Sequence, residues 1–149
     1  MKIRDAARAA ARRDASDESG FTLVELLIVI IVVGILAAIA IPVYLSAQQH
    51  SREAAVISDV ANLRTAIISI DLASNAMPTG LPSSTTSLTP SWKNAGATLG
   101  TFTSNVIYKP GTGTNFCTAG LSSTGAVFVA TESTGVVASS QSTLDAACP

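Results

Sequence analysis

The sequence predicts an α+β protein in which one long N-terminal helix packs against a small antiparallel sheet. Three observations support this fold class. Residues 26–45 are apolar without a charge, residues 46–73 keep apolar positions at helical spacing, and the last third contains short strand patterns between glycine- and serine-rich turns. A chain of 149 residues has room for one small domain and an anchor, and its net charge of −1 does not favour nucleic acid as a partner.

The apolar run over residues 26–45 is long enough to cross a membrane as a helix. Twenty residues rising about 1.5 Å each span roughly 30 Å, the thickness of the hydrocarbon layer. Glu25 directly precedes the run. A carboxylate at the edge of a membrane segment is a functional candidate that needs a cationic partner. The alternative is a carboxylate that simply reaches the lipid headgroups.

The residues around this carboxylate form a recognisable pattern. Gly20 is followed by Phe-Thr-Leu-Val-Glu and then by the apolar run. This pattern resembles the N-terminus of type IV prepilins, a family that includes type IV pilins, the pseudopilins of type II secretion and competence pilins. The resemblance is specific over residues 20–49, and the remaining chain resembles the family only in layout. It implies a type IV pilin-like fold, in which the first half of the helix is transmembrane.

The resemblance also implies a processing reaction. A prepilin peptidase would cleave between Gly20 and Phe21 on the cytoplasmic side and methylate the new amine of Phe21. Residues 1–20 would then be a leader that is removed, and their basic side chains favour keeping that end in the cytoplasm. The implied partners are the membrane, this peptidase, the inner-membrane pilus assembly machinery and further copies of the chain.

In the assembled filament, Glu25 would face the Phe21 amine of a neighbouring subunit. A buried charge whose partner is missing is strongly unfavourable, because it stays desolvated without compensation. The pair of Glu25 and Phe21 would therefore set the register in which subunits dock.

A secretory signal peptide is an alternative interpretation of the same segment. Residues 38–40, Ala-Ile-Ala, fit its cleavage rule, with residues 26–37 as the apolar core. Against this interpretation, the charges nearest the core are acidic, at Asp17 and Glu18, and Glu25 lies at the edge of the core.

The helix is predicted to continue beyond the membrane segment. Residues 46–73 lack glycine and proline, and their apolar positions recur at spacings of 4, 3, 4 and 3. These positions, the helix stripe, are Val56, Val60, Leu63, Ile67 and Ile70. The charged Arg52, Glu53, Asp59 and Arg64 lie mostly off the stripe. A helix over residues 21–73 would be about 80 Å long, and we expect 21–45 to be its filament-core half and 46–74 its amphipathic half.

Gly34 and Pro42 interrupt the apolar run. Pro42 cannot donate to the carbonyl of Ala38, and a helical glycine costs about 1 kcal/mol relative to alanine. Membrane helices tolerate both residues. The functional hypothesis is that residues 34–42 form a weak segment that bends or unwinds on filament packing, and a filament map with continuous helix there would contradict it.

Residues 75–105 change to a composition rich in proline, glycine, serine and threonine. A connection of this length without periodicity is unusual in a compact domain and tends to be functional or mobile. We expect Trp92 and Phe102 to fix it to the domain. The alternative for Trp92 is an exposed adhesive aromatic.

The head, residues 75–149, is predicted to contain a meander of three or four strands. The strand patterns occupy residues 106–109, 114–119, 126–131 and 135–139. The first ends at the turn pair Pro110-Gly111, and glycine- and serine-rich turns separate the others. The apolar face of this sheet is expected to cover the helix stripe.

The two cysteines, Cys117 and Cys148, both lie in the head. An even count in an exported segment predicts a disulfide. It would close a loop of about 32 residues and contribute roughly 3–4 kcal/mol by loop entropy, while clipping the C-terminal tail to a strand. The resemblance agrees, because the family often has a C-terminal disulfide loop.

No pattern in the sequence indicates catalysis, a cofactor or a metal. His50 is the only histidine and is expected to be solvated just outside the membrane. Glu132 and Asp145 are the principal acids of the head, too few for acid–base pairs, and Asp145 alone is a weak indication of calcium. Phosphate-binding loops and metal-ligand clusters are also missing from the sequence.

These observations predict a structural subunit, not an enzyme. The chain would begin as a single-pass membrane precursor and polymerise through its helix into an extracellular type IV pilus-like filament. A pseudopilin of a type II secretion system, with a periplasmic filament, is the alternative within the family; the Cys117 and Cys148 pair and the sparse C-terminal acids favour a pilin. A membrane-anchored or secreted binding module is the alternative from another class.

Overall fold

A computed structural model of the chain describes residues 20–79, 81 and 87–148. The leader predicted over residues 1–20 lies outside the described residues, apart from Gly20. The chain divides into two compact units, Met1–Val43 and Tyr44–Pro149. In its described part, the first unit consists of the N-terminal junction and a stretch of exposed helix, whereas the second contains a hydrophobic core.

Helix α1 extends over Leu23–Ser74, a length of 52 residues, and contributes to both units. This confirms the prediction of one long N-terminal helix. The prediction succeeds because residues 23–73 contain no proline other than Pro42 and only one glycine, so the helical pattern continues through the change from an apolar to an amphipathic surface.

The sheet of the second unit has four antiparallel strands. They are β1, Thr103–Pro110; β2, Phe116–Ser122; β3, Val127–Thr131; and β4, Val137–Ser139. Their spatial order is β1-β2-β3-β4, so each strand pairs with the next one along the chain. The predicted meander is therefore confirmed.

One face of the sheet covers the helix stripe. Val56, Val60, Leu63 and Ile67 are fully buried. Their partners on the sheet come from alternate positions, since successive side chains of a strand point to opposite faces; they are Val106, Tyr108, Phe116, Phe128 and Ala130. The amphipathic half of α1 thus buries its apolar face against the sheet, as predicted.

Gly120 marks the closest approach of the sheet to α1. A Cβ atom at this position would lie 2.7 Å from Cγ2 of Val60 and 3.3 Å from Cγ1 of Val56. The sequence had suggested a turn after residue 119, but β2 continues to Ser122. Glycine stands here because the strand passes too close to the helix for a side chain, not because the chain turns.

Substituting Gly120 with alanine should destabilise the head by about 1–3 kcal/mol, because the added methyl forces the sheet and helix apart. Gly135→Ala is the matched control, since no atom lies within 4 Å of its Cβ position and its φ is not positive. Its effect should stay within about 0.5 kcal/mol. Urea unfolding of the full chain in detergent, followed by near-ultraviolet circular dichroism, would measure both values. Equal stability of the two variants would contradict the close approach.

The opposite face of the sheet is covered by the C-terminal tail. Residues Leu144–Ala147 form a single helical turn, α3, whose N-cap Thr143 accepts a hydrogen bond from the amide of Ala146 at 3.4 Å. Leu144 and Cys148 are buried against the second face of the strands, where they meet Ile107, Ala119 and Val127. The sequence predicted an attached tail but not a second hydrophobic core.

The segment before β1 contains a short helix, α2, Pro90–Asn94, where the sequence predicted an irregular connection. Trp92 is buried, with its ring centroid 5.5 Å from that of Tyr108 in an edge-on arrangement. The expectation that Trp92 fixes this segment is confirmed. Phe102 is 40% exposed and contacts α1 at the surface, where its ring lies under the guanidinium of Arg52, which is 5.8 Å from the ring centroid.

Two charged residues of α1 tie other segments to the helix. Asp59, expected off the stripe, is buried; its Oδ2 accepts from the amide of Gly100 at 2.7 Å and from the hydroxyl of Thr103. Arg64 donates to the carbonyl oxygens of Thr131 at 2.8 Å and of Glu132 at 2.7 Å. Strand β1 begins at Thr103, three residues before the predicted start, where this hydrogen bond from Asp59 orients the chain.

Candidate functional site

The N-terminus of α1 has a polar structure built by two residues. Thr22 precedes the helix, and its hydroxyl accepts a hydrogen bond from the amide of Glu25 at 3.1 Å. One carboxylate oxygen of Glu25 accepts in return from the amide and from the hydroxyl of Thr22, both at 2.9 Å. This reciprocal arrangement is a capping box, which satisfies donors that the first turn of a helix leaves without a partner.

Thr22 was not singled out from the sequence, although a local pattern was present. Thr22-Leu23-Val24-Glu25 matches the capping-box pattern of threonine followed three residues later by glutamate. Glu25 therefore has a partner in its own chain, so its presence before the apolar run does not by itself require a cation from elsewhere. The carboxylate caps the first turn of the helix and remains exposed.

Gly20 and Phe21 form an open junction before the cap. The side chain of Phe21 is 92% exposed, and among the described residues no atom lies within 4 Å of the position that a Cβ of Gly20 would occupy. Packing against the described part of the chain therefore does not require a glycine at position 20.

The surface of α1 after the cap is apolar on all sides. Every large apolar side chain between residues 26 and 45 is at least 46% exposed. Exposed apolar surface of this extent, continuous around a helix, is typical of a segment covered by lipid or by other proteins. Within the described residues, α1 is the one helix that is long and apolar enough to cross a membrane.

Gly34 and Pro42 both lie inside α1, which continues through them. No atom lies within 4 Å of the Cβ position of Gly34, so packing within the chain does not account for a glycine that costs about 1 kcal/mol of helix propensity. The structure describes a single copy, and the hypothesis of unwinding concerns the packed filament. It stays a prediction.

The remaining residues singled out from the sequence do not gather into a second site. Cys117 and Cys148 are joined by a disulfide with 5.6 Å between their Cα atoms. His50 is exposed and lies 3.9 Å from the carboxylate of Glu53, and Asp145 pairs with Lys109 at 3.4 Å. Across the described ranges, no three histidine, cysteine, aspartate or glutamate side chains are grouped so that they could hold a metal ion.

Comparison with known proteins gives matches that agree with this geometry. Residues 15–41 match the family model described as the prokaryotic N-terminal methylation motif. The chain is similar to the type IV major fimbrial protein FimA of Dichelobacter nodosus, with 50% identity over 50 residues, which are 34% of this chain and 32% of FimA. It is also similar to the fimbrial protein EcpB of Eikenella corrodens, with 44% identity over 66 residues, 44% of this chain and 41% of EcpB.

A third relative comes from a secretion system. The type II secretion system core protein G of Aeromonas hydrophila is 34% identical over 62 residues, 42% of this chain and 43% of that protein. The alignments with FimA, EcpB and protein G span about a third to two fifths of the length of each relative. No solved structure is significantly similar to the chain.

These matches agree with the resemblance of residues 20–49 to type IV pilins and pseudopilins. Two of the relatives, FimA and EcpB, are named as fimbrial proteins.

Proposed function

We propose that this chain is the subunit of a type IV pilus-like filament and polymerises through α1 after its leader is removed. One observation supports this proposal above the others. The helix surface over residues 26–45 is apolar on all sides and follows directly on a capped carboxylate and an open glycine–phenylalanine junction. Such a surface can be covered first by lipid and then, in a filament, by the same surface of other copies.

Leader removal would occur between Gly20 and Phe21, and the released amine of Phe21 would be methylated. The open junction supports this step, since a peptidase needs the backbone on both sides of the scissile bond free of the chain's own packing. Because no side chain of residues 21–79, 81 or 87–148 approaches the Cβ position of Gly20, its glycine suits close contact of the backbone with an enzyme. The partners of this step are a prepilin peptidase and the membrane.

Cleavage would also change the charge next to the cap. The new amine belongs to Phe21, the residue before Thr22, so a positive charge appears beside the carboxylate of Glu25 in every processed subunit. We propose that Glu25 of one subunit pairs with the Phe21 amine of a neighbour as the apolar helices pack. The inner-membrane assembly machinery would then extract the subunit from the membrane into an extracellular filament.

The intact mass and N-terminal sequence of the protein recovered from its own cells test this proposal. We expect a chain that begins at Phe21 and has one additional methyl group. Gly20→Leu should leave the chain uncut. Because a Cβ at position 20 meets no atom of the described residues within 4 Å, that failure would report on the peptidase and not on folding. A start near Ile41 would instead show secretion of a soluble domain, and an uncut wild-type chain would leave only a membrane anchor.

A pseudopilin is the second candidate, favoured by the similarity to a type II secretion system core protein G. The two candidates share processing and polymerisation but differ in where the filament lies. Filaments sheared from the cell surface would support the pilin, whereas filaments confined to the periplasm would support the pseudopilin.

A further inference from the structure

The four lysine and arginine side chains of the second unit differ in whether they have a partner within the chain. Arg52 lies over an aromatic ring, Arg64 donates to two backbone carbonyls, and Lys109 forms an ion pair. Lys93 lies in the last turn of α2 and is exposed, and its ammonium group makes neither an ion pair nor a hydrogen bond with any residue that the structure describes. Its charge is therefore available to another molecule.

Two carboxylates that also lack an ion pair within the described residues line a cleft of about 340 Å³. Asp71 and Glu132 lie on this cleft, and neither forms an ion pair or a side-chain hydrogen bond within the described ranges. The other lining residues are Ile68, Leu72, Met77, Thr114 and Phe116. Leu72 is 80% exposed. An apolar lining with two carboxylates suits a long aliphatic side chain that ends in a cation, because the stem packs and the charge pairs.

Lys93 and the cleft lie on opposite flanks of α1. The segment that follows α2 is fixed by a hydrogen bond from Asn62 Nδ2 to Thr98 Oγ1 at 2.7 Å, and the end of β3 is fixed by Arg64. Asn62 and Arg64 are two residues apart, which is about 200° around an α-helix. Lys93 lines a different cleft together with Thr98, and it is not among the residues that line the cleft of Asp71 and Glu132.

We propose that Lys93 of one copy of this chain docks into the cleft of a second copy, between Asp71 and Glu132. This inference rests on the proposed filament function and adds a contact between heads to it. The two surfaces differ and lie on opposite flanks, so the contact is heterologous. Repeated from copy to copy, such a contact generates an open helical assembly unless the rotation happens to close a ring.

A single exposed ion pair is weak, since most such pairs contribute between 0 and 1 kcal/mol. The contact therefore acts through repetition along the assembly and through choice of orientation, since any other rotation of the head would leave Lys93 and the two carboxylates without their proposed partners. Packing of the apolar helices stabilises the filament, and the contact between heads determines how each head is rotated about the filament axis.

A zero-length carbodiimide, which joins lysine amines to carboxylates, tests the contact on intact cells that make the full chain. We expect oligomer bands on a denaturing gel, and peptides from these bands that link Lys93 to Asp71 or Glu132. Lys93→Arg keeps the charge but lacks the amine, so filaments should persist while these linked peptides vanish. Lys109→Arg is the matched control and should leave the linked peptides unchanged.

Charge exchange tests the contact independently. Lys93→Glu and Glu132→Lys should each lower the recovered filament about five-fold, as expected for replacing a weak attraction by a repulsion. The double variant should recover most of the wild-type yield. The backbone carbonyl of Glu132 that binds Arg64 is retained in these variants.

Three results would overturn the proposal: absence of Lys93 from all inter-chain peptides, linkage of Lys93 only to a different protein, or a double variant no better than the single ones. Each of these results can be distinguished from failure of the filament function itself. In that case the wild-type protein would remain uncut between Gly20 and Phe21.

Discussion

Replacing Glu25 by glutamine should abolish filaments while leaving the processed subunit in the membrane. In the proposed filament, the Phe21 amine of one subunit is buried among apolar helices, and its charge is matched by a neighbour's Glu25. Removing one partner of a buried pair costs about 3–5 kcal/mol. Each 1.4 kcal/mol is a factor of ten in an equilibrium constant, so subunit addition should weaken at least about 100-fold.

The glutamine variant separates the proposed charge pairing between subunits from the capping of α1 that the structure shows. In the capping box, the side chain of Glu25 accepts from the amide and the hydroxyl of Thr22. Glutamine at the same helix position can also form a capping box, because its amide oxygen accepts the same bonds. A variant that keeps the cap but loses the charge therefore reports on pairing between subunits.

The measurement is the amount of filament sheared from cells, compared with the amount of processed subunit in their membranes. Glu53→Gln is the matched control: the same substitution in the same helix, at a carboxylate that accepts from Thr124 Oγ1 at 3.4 Å. It should assemble normally. Normal filaments with Glu25→Gln would contradict charge pairing, and tolerance of Glu25→Leu as well would favour an anchored binding module.

The features of the fold that depend on local pattern were predictable. The spacing of Val56, Val60, Leu63 and Ile67 fixed which side of α1 is buried, because helical periodicity alone determines that face. The meander was predictable for the same reason, since each strand pairs with its sequence neighbour across a short turn.

The features that depend on which distant residues meet were not predictable. Gly120 suggested a turn, and only the proximity of Val60 shows why a glycine lies inside a strand. Asp59 had the appearance of a solvated charge, but it is buried because the amide of Gly100, 41 residues away, donates to it. Helix α3 is too short to have a periodic pattern, so the second core under the sheet was missed.

The candidate site was found by resemblance more than by physical reasoning. Phe21 is exposed, and a Cβ at Gly20 would meet no atom of the described residues, so the structure of this part of the chain does not indicate their role. Their proposed function depends on other molecules, namely a peptidase and neighbouring subunits. Packing within a single chain does not indicate such molecules. Thr22 could have been found, because the capping-box pattern with Glu25 is local.

Removing the disulfide should cause the largest loss of stability in the head. The bond between Cys117 and Cys148 spans a sequence separation of 31 residues, for which loop entropy gives about 3–4 kcal/mol. Helix α3 has four residues, far fewer than an isolated helix needs, so it is held by tertiary contacts. Without the bond, the tail should detach and expose Ile107, Ala119 and Val127.

The double variant Cys117→Ala with Cys148→Ala should therefore lower the melting temperature by roughly 10–30 °C for a head of this size. Calorimetry of the full chain in detergent would measure the shift, and increased binding of a hydrophobic dye below the transition would report the exposed sheet face. Lys109→Met is the control. It removes the exposed ion pair with Asp145 on the same tail and the hydrogen bond from Nζ to the carbonyl of Asp145 at 3.3 Å, and it should cost less than about 1 kcal/mol. If the double variant melts within a few degrees of wild type, the tail is held by the packing of Leu144 alone and the disulfide is dispensable for the second core.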